Sequence, residues 1–375
     1  YNQADGYKAL FSNTTGTSNH ADGYQALYSN TTGVRNQATG SLSLYSNITG
    51  NRNRASGFGS LYSNTTGNNN QADGYGALTS NTTGNNNQAD GYMALWLNTT
   101  GNNNQAIGYQ ALVYNTTGNN NLATGYKALY SNITGSRNLA IGYQALYSNI
   151  GSAVAARINV STNGSGYTDG YYTNVQLQYV SGPTATTYPI VNIEIYNGVC
   201  DWIGIVSGGS AFTDSDTVLG VNVSDVGGTG TGLNFKVESL DGSKNQATGY
   251  QALYSNTTGF LNHASGSSAL YSNTTGFINQ ATGYQSLYNN TDGYKNQADG
   301  YKALYSNTTG ILNQADGYKA LYSNTTGSLN KADGYLALYS NTTGGGNQAA
   351  GIQALYSNTT GNFNFAFGNS ALNSN

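Results

Sequence analysis

A unit of seventeen residues repeats through most of this chain, and it limits the folds open to the sequence. Counted from the Asn of Asn-Gln-Ala-Asp-Gly-Tyr, position three is Ala, position five Gly and position nine Leu in every copy, whereas position four varies. Fixed small residues beside a variable neighbour predict a strand with one buried and one open face. Nine copies precede a break and eight follow it, beginning at Asn2, Asn19, Asn36, Asn53, Asn70, Asn87, Asn104, Asn121 and Asn138, then at Asn245, Asn262, Asn279, Asn296, Asn313, Asn330, Asn347 and Asn364.

The length of the unit favours a β-solenoid. Seventeen residues cannot hold a pair of helices, and the dominant residue types, Asn, Gly, Thr and Tyr, are poor helix formers. At roughly 3.3 Å per strand residue a unit has about 56 Å of contour, enough for one narrow coil of two short strands and two turns. We therefore predict an all-β fold, a parallel β-solenoid with one coil per unit.

Stacked coils place each residue on its own equivalent about 4.8 Å away. Asn side chains are then expected to pair amide with amide along the stack, and the tyrosines at positions six and ten to form two aromatic ladders that either stiffen the stack or offer a surface to carbohydrate. In the Asn-Thr-Thr-Gly turn at positions twelve to fifteen, the Asn tolerates and the Gly prefers a left-handed backbone.

The predicted core is thin, because one Leu and two Ala supply most of it. Burial of the Leu contributes roughly 1.5–3 kcal/mol, against about 1–2 kcal/mol of backbone entropy for every ordered residue. One coil therefore cannot be stable alone, and stacking buries the faces of each coil against its neighbours. We further expect several chains, most simply three around an axis, to bury another face together.

The repeat also carries a resemblance to known proteins. Units such as Asn104-Gln-Ala-Ile-Gly-Tyr-Gln-Ala-Leu112 resemble the short repeats in the head domains of trimeric autotransporter adhesins and the related repeats of bacteriophage tail fibres. The resemblance implies a left-handed parallel β-roll that trimerises and serves as an extracellular adhesive or receptor-contacting shaft. Where that family usually has an apolar residue between Ala and Gly, this chain often has Asp, as at Asp5, Asp22, Asp73 and Asp90.

The repeat is interrupted once. The unit that begins at Asn138 reads Ile150-Gly151 where Thr-Thr-Gly should follow, and the repeats resume at Asn245. The foreign segment thus enters and leaves at the Asn-Thr-Thr-Gly turn. We expect this corner of the coil to face solvent, because a turn that accepts a whole domain cannot be buried.

The interruption defines three parts of the chain. We predict solenoid blocks at residues 1–151 and 241–375 and a small inserted antiparallel β domain at residues 152–240. Alternating segments indicate strands in the insert, and Asn197-Gly198 is typical of a hairpin turn.

Composition excludes several classes of protein. The net charge is -3 with only 8% charged residues, and no basic run is present to neutralise phosphates, so nucleic-acid binding is not expected. No apolar run approaches the roughly 18 residues of a membrane helix. The chain starts at Tyr1 and its only methionine is Met93, from which we expect the natural N-terminus to lie upstream.

Catalytic groups are scarce. His20 and His263 each replace a repeat Gln, Cys200 has no nearby His, and the glycine-rich run at 227–232 lacks the Lys of a phosphate loop. We predict neither an enzyme nor a cofactor. A polysaccharide hydrolase in the insert is an alternative, but no spacing singles out a pair among its carboxylates, Glu194, Asp201, Asp214, Asp216 and Glu238.

Position four offers one candidate metal site. Asp299, Asp316 and Asp333 occupy consecutive units, and like charges about 4.8 Å apart repel unless they are solvated or bridged by a cation such as Ca²⁺. Either solvation or a bound ion accounts for them, and no other metal site is predicted.

The turn motif doubles as an N-glycosylation sequon. The turn is explained by structure alone or by dense glycosylation. The candidate sites are Asn13, Asn30, Asn47, Asn64, Asn81, Asn98, Asn115, Asn132, Asn256, Asn273, Asn307, Asn324, Asn341 and Asn358.

These features predict a non-enzymatic structural protein outside the cell. The leading hypothesis is a stiff trimeric fibre segment, on a virion tail or a bacterial surface, with the insert as a lateral knob for adhesion or for contact with a receptor or glycan. Many weak contacts would then add through avidity. The alternative is a self-assembling extracellular filament subunit, with or without glycans.

Overall fold

The computed structural model describes residues 1–151, 154–168, 170–176, 178–181, 190–196, 199–207, 218–220, 228–240 and 244–374. The chain divides into two compact units, Tyr1–Gly151 with Gly242–Asn375, and Ser152–Asp241. Strands and turns make up the described ranges, and none of their segments forms a helix of the length and apolarity that crossing a membrane requires.

The strands of the two repeat blocks all have three residues, and those of the second unit have three to fourteen. The first block has three-residue strands β1 Gln3–Asp5, β2 His20–Asp22, β3 Gln37–Thr39, β4 Arg54–Ser56, β5 Gln71–Asp73, β6 Gln88–Asp90, β7 Gln105–Ile107, β8 Leu122–Thr124 and β9 Leu139–Ile141. The second unit has β10 Val154–Tyr167, β11 Gly170–Gln176, β12 Gln178–Ser181, β13 Ile190–Tyr196, β14 Val199–Ser207, β15 Val218–Gly220 and β16 Gly228–Leu240. The second block has β17 Gln246–Thr248, β18 His263–Ser265, β19 Gln280–Thr282, β20 Gln297–Asp299, β21 Gln314–Asp316, β22 Lys331–Asp333, β23 Gln348–Ala350 and β24 Phe365–Phe367.

The repeat blocks form a parallel β-solenoid, as predicted. Their strands make one 17-stranded sheet in which each strand pairs in parallel with the equivalent strand of the next coil. Equal positions face each other throughout, as in the pairs Gln71↔Gln88, Ala72↔Ala89 and Asp73↔Asp90. The repeat is therefore kept because every residue lies against its own copy.

Each coil has one short strand, so the expectation of two was wrong. Positions seven and nine adopt a left-handed backbone, with φ near 52° at Gln110 and 54° at Leu112. Two left-handed residues separated by one residue cannot continue an extended strand. The chain instead curls inward there and brings Ala at position eight and Leu at position nine into the core.

The left-handed residues are not those expected from the turn. Neither the Asn nor the Gly of Asn-Thr-Thr-Gly has a positive φ, and the third left-handed position is seventeen, for example Asn120 with φ 58°. Gly118 is required for another reason. A Cβ on it would collide with Oδ1 of Asn115 and the carbonyl oxygen of Gly135 in the next coil, so only glycine allows this close approach.

The core is a narrow column. Ala at position three, Ala or Ser at position eight and Leu at position nine are fully buried in the interior coils, together with the asparagines at positions one and twelve. In the strand, only the middle residue points inward, and positions two and four face out in most coils. The predicted buried and open faces of the strand are confirmed.

The stack continues across the point where the chain leaves it. β9 and β17 pair in parallel, with Ala140 facing Ala247. Nδ2 of Asn256 donates to Oδ1 of Asn149 at 3.1 Å although the two lie 107 residues apart in sequence. The two blocks therefore form one solenoid.

The strands of the second unit pair antiparallel. β10 pairs with β16, and β13 lies between β11 and β14, with Tyr196 facing Val199 at the end of the β13–β14 pair. The hairpin residues Asn197 and Gly198 lie outside the described residues, and so do the side chains of Cys200 and the carboxylates considered above for hydrolysis.

Candidate functional site

Two asparagine ladders run through the core and meet at one carbonyl oxygen per coil. Nδ2 of Asn115, at position twelve, donates to Oδ1 of Asn98 at 2.8 Å and to the Gly118 oxygen at 3.0 Å. Nδ2 of Asn104, at position one, donates to the same Gly118 oxygen at 2.8 Å. The backbone N–H of Asn104 donates to Oδ1 of Asn87 at 3.0 Å. The expected amide pairing along the stack is confirmed, and the ladders satisfy the polar groups that the narrow coil buries.

The sequon asparagines are the position-twelve residues of this ladder. Thirteen of the fourteen are 0–2% exposed, and only Asn13, in the first coil, is half-buried. Their Nδ2 atoms, the atoms to which a glycan would be joined, donate hydrogen bonds inside the core. A glycan on these atoms is incompatible with the folded coil, so glycosylation would have to replace the ladder. Intact mass measures whether any glycan is attached.

The turn still faces solvent at its two threonines. Positions thirteen and fourteen are half-buried and exposed, respectively, in most coils. Oγ1 of Thr99, at position thirteen, donates to the Thr116 oxygen of the next coil at 3.1 Å. The open part of the corner is therefore a double row of threonines, with the asparagine turned inward beneath it.

Two aromatic ladders cover the outside of the coil, as predicted. The outer aromatic ladder, at position six, has exposed rings with centroids 5.0–5.3 Å apart from Tyr75 to Tyr250. The inner aromatic ladder, at position ten, is half-buried and runs without a break from Tyr130 to Tyr356, at 5.0–5.3 Å and interplanar angles of 10° or less. Ring faces inside a run are covered by neighbours, so mainly edges and hydroxyl groups face solvent.

Three tyrosines of the inner aromatic ladder have a raised pKa. Desolvation, followed by a hydrogen bond with Tyr114 and the charges of neighbouring phenolates, raises the pKa of Tyr130 to about 12. Desolvation and the charges of adjacent ladder tyrosines also raise the pKa of Tyr254 and of Tyr288. At these three positions the inner ladder therefore favours the uncharged phenol.

Lysines at position seven lie between the two aromatic ladders. Nζ of Lys127 is 5.5 Å from the ring centroid of Tyr126 and 5.0 Å from that of Tyr130. Lys302 and Lys319 make equivalent contacts in the second block. Each such contact is worth about 0.5–1 kcal/mol at an exposed site, which favours a structural role for these lysines.

The outer aromatic ladder ends at Tyr335, beyond which position six is Ile352 and Asn369, and it is interrupted between rings at two places. Ser41 stands between Tyr24 and Phe58, and Ser267 stands between Tyr250 and Tyr284. The rings that border these serines are 45–52% exposed, compared with 39–44% for Tyr92, Tyr109, Tyr126 and Tyr143 and 49% for Tyr75 inside the long run. At each serine no ring of the ladder lies between the two bordering rings.

One corner of the coil changes character between the blocks. In the first block positions sixteen and seventeen are mostly Asn, and Asn68 accepts the backbone N–H of Asn51 at 2.9 Å. In the second block position sixteen carries stacked rings, with Phe277 and Tyr294 centroids 4.6 Å apart. Position seventeen there is apolar and 39–61% exposed at Leu261, Ile278, Leu312 and Leu329. We term these four residues with Phe260, Phe277 and Tyr294 the apolar corner.

The three predicted carboxylates lie in register but form no cage. Asp299 faces Asp316, which faces Asp333, on the exposed side of the sheet. Among the described residues no group of three or more His, Cys, Asp or Glu side chains is placed to hold a metal ion. Thermal melts in EDTA and in excess Ca²⁺ remain the test of ion binding at this row.

The histidines take the places of glutamines. Nδ1 of His263 lies 3.0 Å from Oε1 of Gln246 in the row of position-two side chains, and His20 faces Gln3 and Gln37 in the same row. Concave surfaces of the described part include an amide-lined groove at Asn51, Asn68 and Asn85 and a hollow lined by Lys331, Asp333 and Phe367 among others. None of these features assembles an acid, a base and a nucleophile.

Comparisons with protein-family models, curated proteins and solved structures found no match to this chain.

Proposed function

We propose that the chain is a segment of a structural, non-enzymatic extracellular fibre. The observation that carries the proposal is the uninterrupted stack: every coil donates backbone hydrogen bonds to both neighbours. Leu112 N–H donates to Ala128 O at 3.0 Å in one direction, and Gln110 N–H donates to Tyr92 O at 2.9 Å in the other. Seventeen coils at about 4.8 Å each give a shaft of about 80 Å.

Association of several chains is part of this proposal. A column of Ala, Leu and Asn buries little apolar surface, and the apolar corner leaves large side chains exposed, which is typical of surfaces that bind other proteins. A left-handed coil and a trimer are the arrangement that the repeat resemblance implies. Light scattering coupled to size exclusion tests it: a mass of three chains supports the trimer, and a monomer at all concentrations contradicts it.

Residues 152–241 form the second element of the proposal, as a knob that contacts a receptor or a glycan. Arrayed copies on an oligomeric shaft would strengthen weak contacts by raising the effective concentration of the second binding event. Binding of the full chain to arrayed glycans and host-cell surfaces tests this role, with a variant lacking residues 152–241 as the control. Equal binding by both proteins would exclude the knob as the binding element and would indicate that the shaft binds.

A self-assembling filament subunit is the second candidate. The apolar corner favours it, because apolar side chains that recur over several successive coils of the second block can pair with another shaft along that stretch. Negative-stain images at rising protein concentration separate the two functions. Discrete particles of constant length support the fibre segment, whereas bundles or filaments that lengthen with concentration support the filament.

A further inference from the structure

The two serines of the outer aromatic ladder create gaps one ring thick. Backbone register is kept on both sides of each. Ser268 N–H donates to Tyr250 O at 2.8 Å, and Gln285 N–H donates to Ser267 O at 3.0 Å. At the first gap Leu42 N–H donates to Tyr24 O at 2.9 Å and Gly59 N–H to Ser41 O at 3.0 Å. The coils therefore do not move together to close the gaps.

Spacing in the inner aromatic ladder supports the same conclusion. The Tyr254, Tyr271 and Tyr288 centroids, which span the second gap, are 5.1 and 5.0 Å apart, and the Tyr28, Tyr45 and Tyr62 centroids, which span the first, are 5.1 Å apart at both steps. The two rings that border a gap are thus separated by twice the usual distance between stacked rings, about 10–11 Å between centroids. A ring inserted midway would lie at the usual stacking distance from each of them.

The second gap is bordered by a small side chain. Its position-seven residue is Ser268, which is 9% exposed, whereas most other coils have Gln or Lys at this position. Its walls, Tyr250 and Tyr284, are 52% and 45% exposed, against 40% for both Tyr301 and Tyr318. A slot with two parallel aromatic faces and a serine at its base suits a flat apolar ring with one polar group.

We propose that each gap is a binding site for one aromatic ring, and that a phenol ring is the group it fits best. The same space is filled in the other coils by the chain's own rings, for example that of Tyr109 between Tyr92 and Tyr126. The ligand is a tyrosine-like side chain of a partner polypeptide or a free phenol. Stacking on aromatic faces supplies the affinity, in the way that bases bind aromatic platforms. The site depends on the ladder alone, so it stands or falls separately from the fibre role.

Para-cresol, the side chain of tyrosine as a free molecule, is the probe. Equilibrium dialysis of the full chain is expected to show two saturable para-cresol sites. Ser267→Tyr should leave one site, Ser41→Tyr with Ser267→Tyr should leave none, and Tyr109→Ser should add a third. Chemical shifts of the tyrosine ring protons should move on titration at Tyr250 and Tyr284 and should not move at Tyr318.

Tyrosine is the residue that most coils already carry at this position, so the filled variants are expected to fold and to melt at a higher temperature than the natural chain. Circular dichroism checks their fold. N-acetyl-tyrosinamide distinguishes the sources of the ring: binding at the same sites shows that a partner side chain fits, and binding of para-cresol alone shows that only a free phenol does. Absence of saturable binding, unchanged stoichiometry in the filled variants, or tighter binding of methyl glucoside than of para-cresol would overturn the proposal.

Discussion

Each position-twelve asparagine serves three neighbours with one amide. In the middle of the stack its nitrogen donates to the coil before and to its own turn, while its oxygen accepts from the coil after. Such a group cannot be replaced without leaving buried partners unpaired, and an unpaired buried polar group costs about 1–3 kcal/mol. This explains why the position is Asn in every coil, including the coil of Asn149, which has no sequon.

Replacing Asn115 by Ser is therefore expected to destabilise the solenoid by about 2–4 kcal/mol, because Oδ1 of Asn98 loses its donor and Nδ2 of Asn132 loses one of its two acceptors. The matched control is Asn120→Ser, at an exposed left-handed position that Ser already occupies at Ser18. The control should change stability by less than about 1 kcal/mol. Urea unfolding followed by circular dichroism measures both. Equal effects in the two variants would contradict the ladder's role.

Glycine at position five is required by both conformation and space. Gly108 has φ 127°, and a Cβ on it would meet the carbonyl of Gly125 in the next coil, whereas a Cβ on Gly59 would meet nothing within 4 Å. We expect Gly108→Ala to cost about 3 kcal/mol or more, and Gly59→Ala about 1 kcal/mol for its left-handed φ. Thermal melts of the two variants compare them, and a Gly108→Ala variant as stable as Gly59→Ala would show that coils separate easily.

At the scale of the coil, repetition made the fold predictable. Identical residues at one period must lie against each other if the units stack, so the parallel register, the asparagine ladders and the aromatic ladders follow from the spacing. The path of the chain within a coil cannot be deduced from this spacing. Leu112 and Gln110 adopt a left-handed backbone that their residue types disfavour, and only packing of the whole column explains that conformation.

The candidate sites, like the coil, could be predicted only in part from the sequence. The row of Asp299, Asp316 and Asp333 is in register as expected. The sequence did not indicate that the turn at Asn115 and its equivalents exposes its threonines and buries its asparagine. The gaps at Ser41 and Ser267 were visible in the sequence as the two serines at position six. Their meaning required the stacking distances of the rings on either side.

Removal of residues 152–241 should leave a complete coil. Asn138–Gly151 supplies fourteen positions, and Gly242, Ser243 and Lys244 supply the remaining three. The β9–β17 pairing already joins the flanking coils, so the shortened chain is expected to fold with the same circular dichroism per repeat residue. Its melting temperature should be within a few degrees of that of the full chain. Loss of the solenoid signal would mean that the second unit is needed for the stack to form.

At the scale of the whole molecule, the inner aromatic ladder makes the free energy of unfolding depend on pH. Tyr130, with its pKa raised to about 12, and Tyr254 and Tyr288, with raised pKa values, keep their protons in the folded state at a pH where unfolded tyrosines near 10 lose them. The folded state then binds more protons than the unfolded state, so stability falls as pH rises from about 10 to about 12.

We expect the melting temperature to be nearly flat below pH 10 and to fall steeply above it. Ultraviolet absorbance should show tyrosines that ionise only on unfolding. Tyr130→Phe removes the phenol whose pKa is raised to about 12 and should reduce the fall. A melting temperature that is independent of pH up to 12 would contradict the raised pKa values of the inner ladder.

Because every coil bonds to both neighbours by the same contacts, the solenoid has no internal reason to stop at a particular number of coils. Gain or loss of a whole unit leaves all remaining contacts as they were, and near-identical units are natural points for unequal recombination in the gene. The length of the shaft can therefore change in steps of one coil. Proteins with the same repeat should have shafts of different length with the same cross-section, a difference that mass alone reveals.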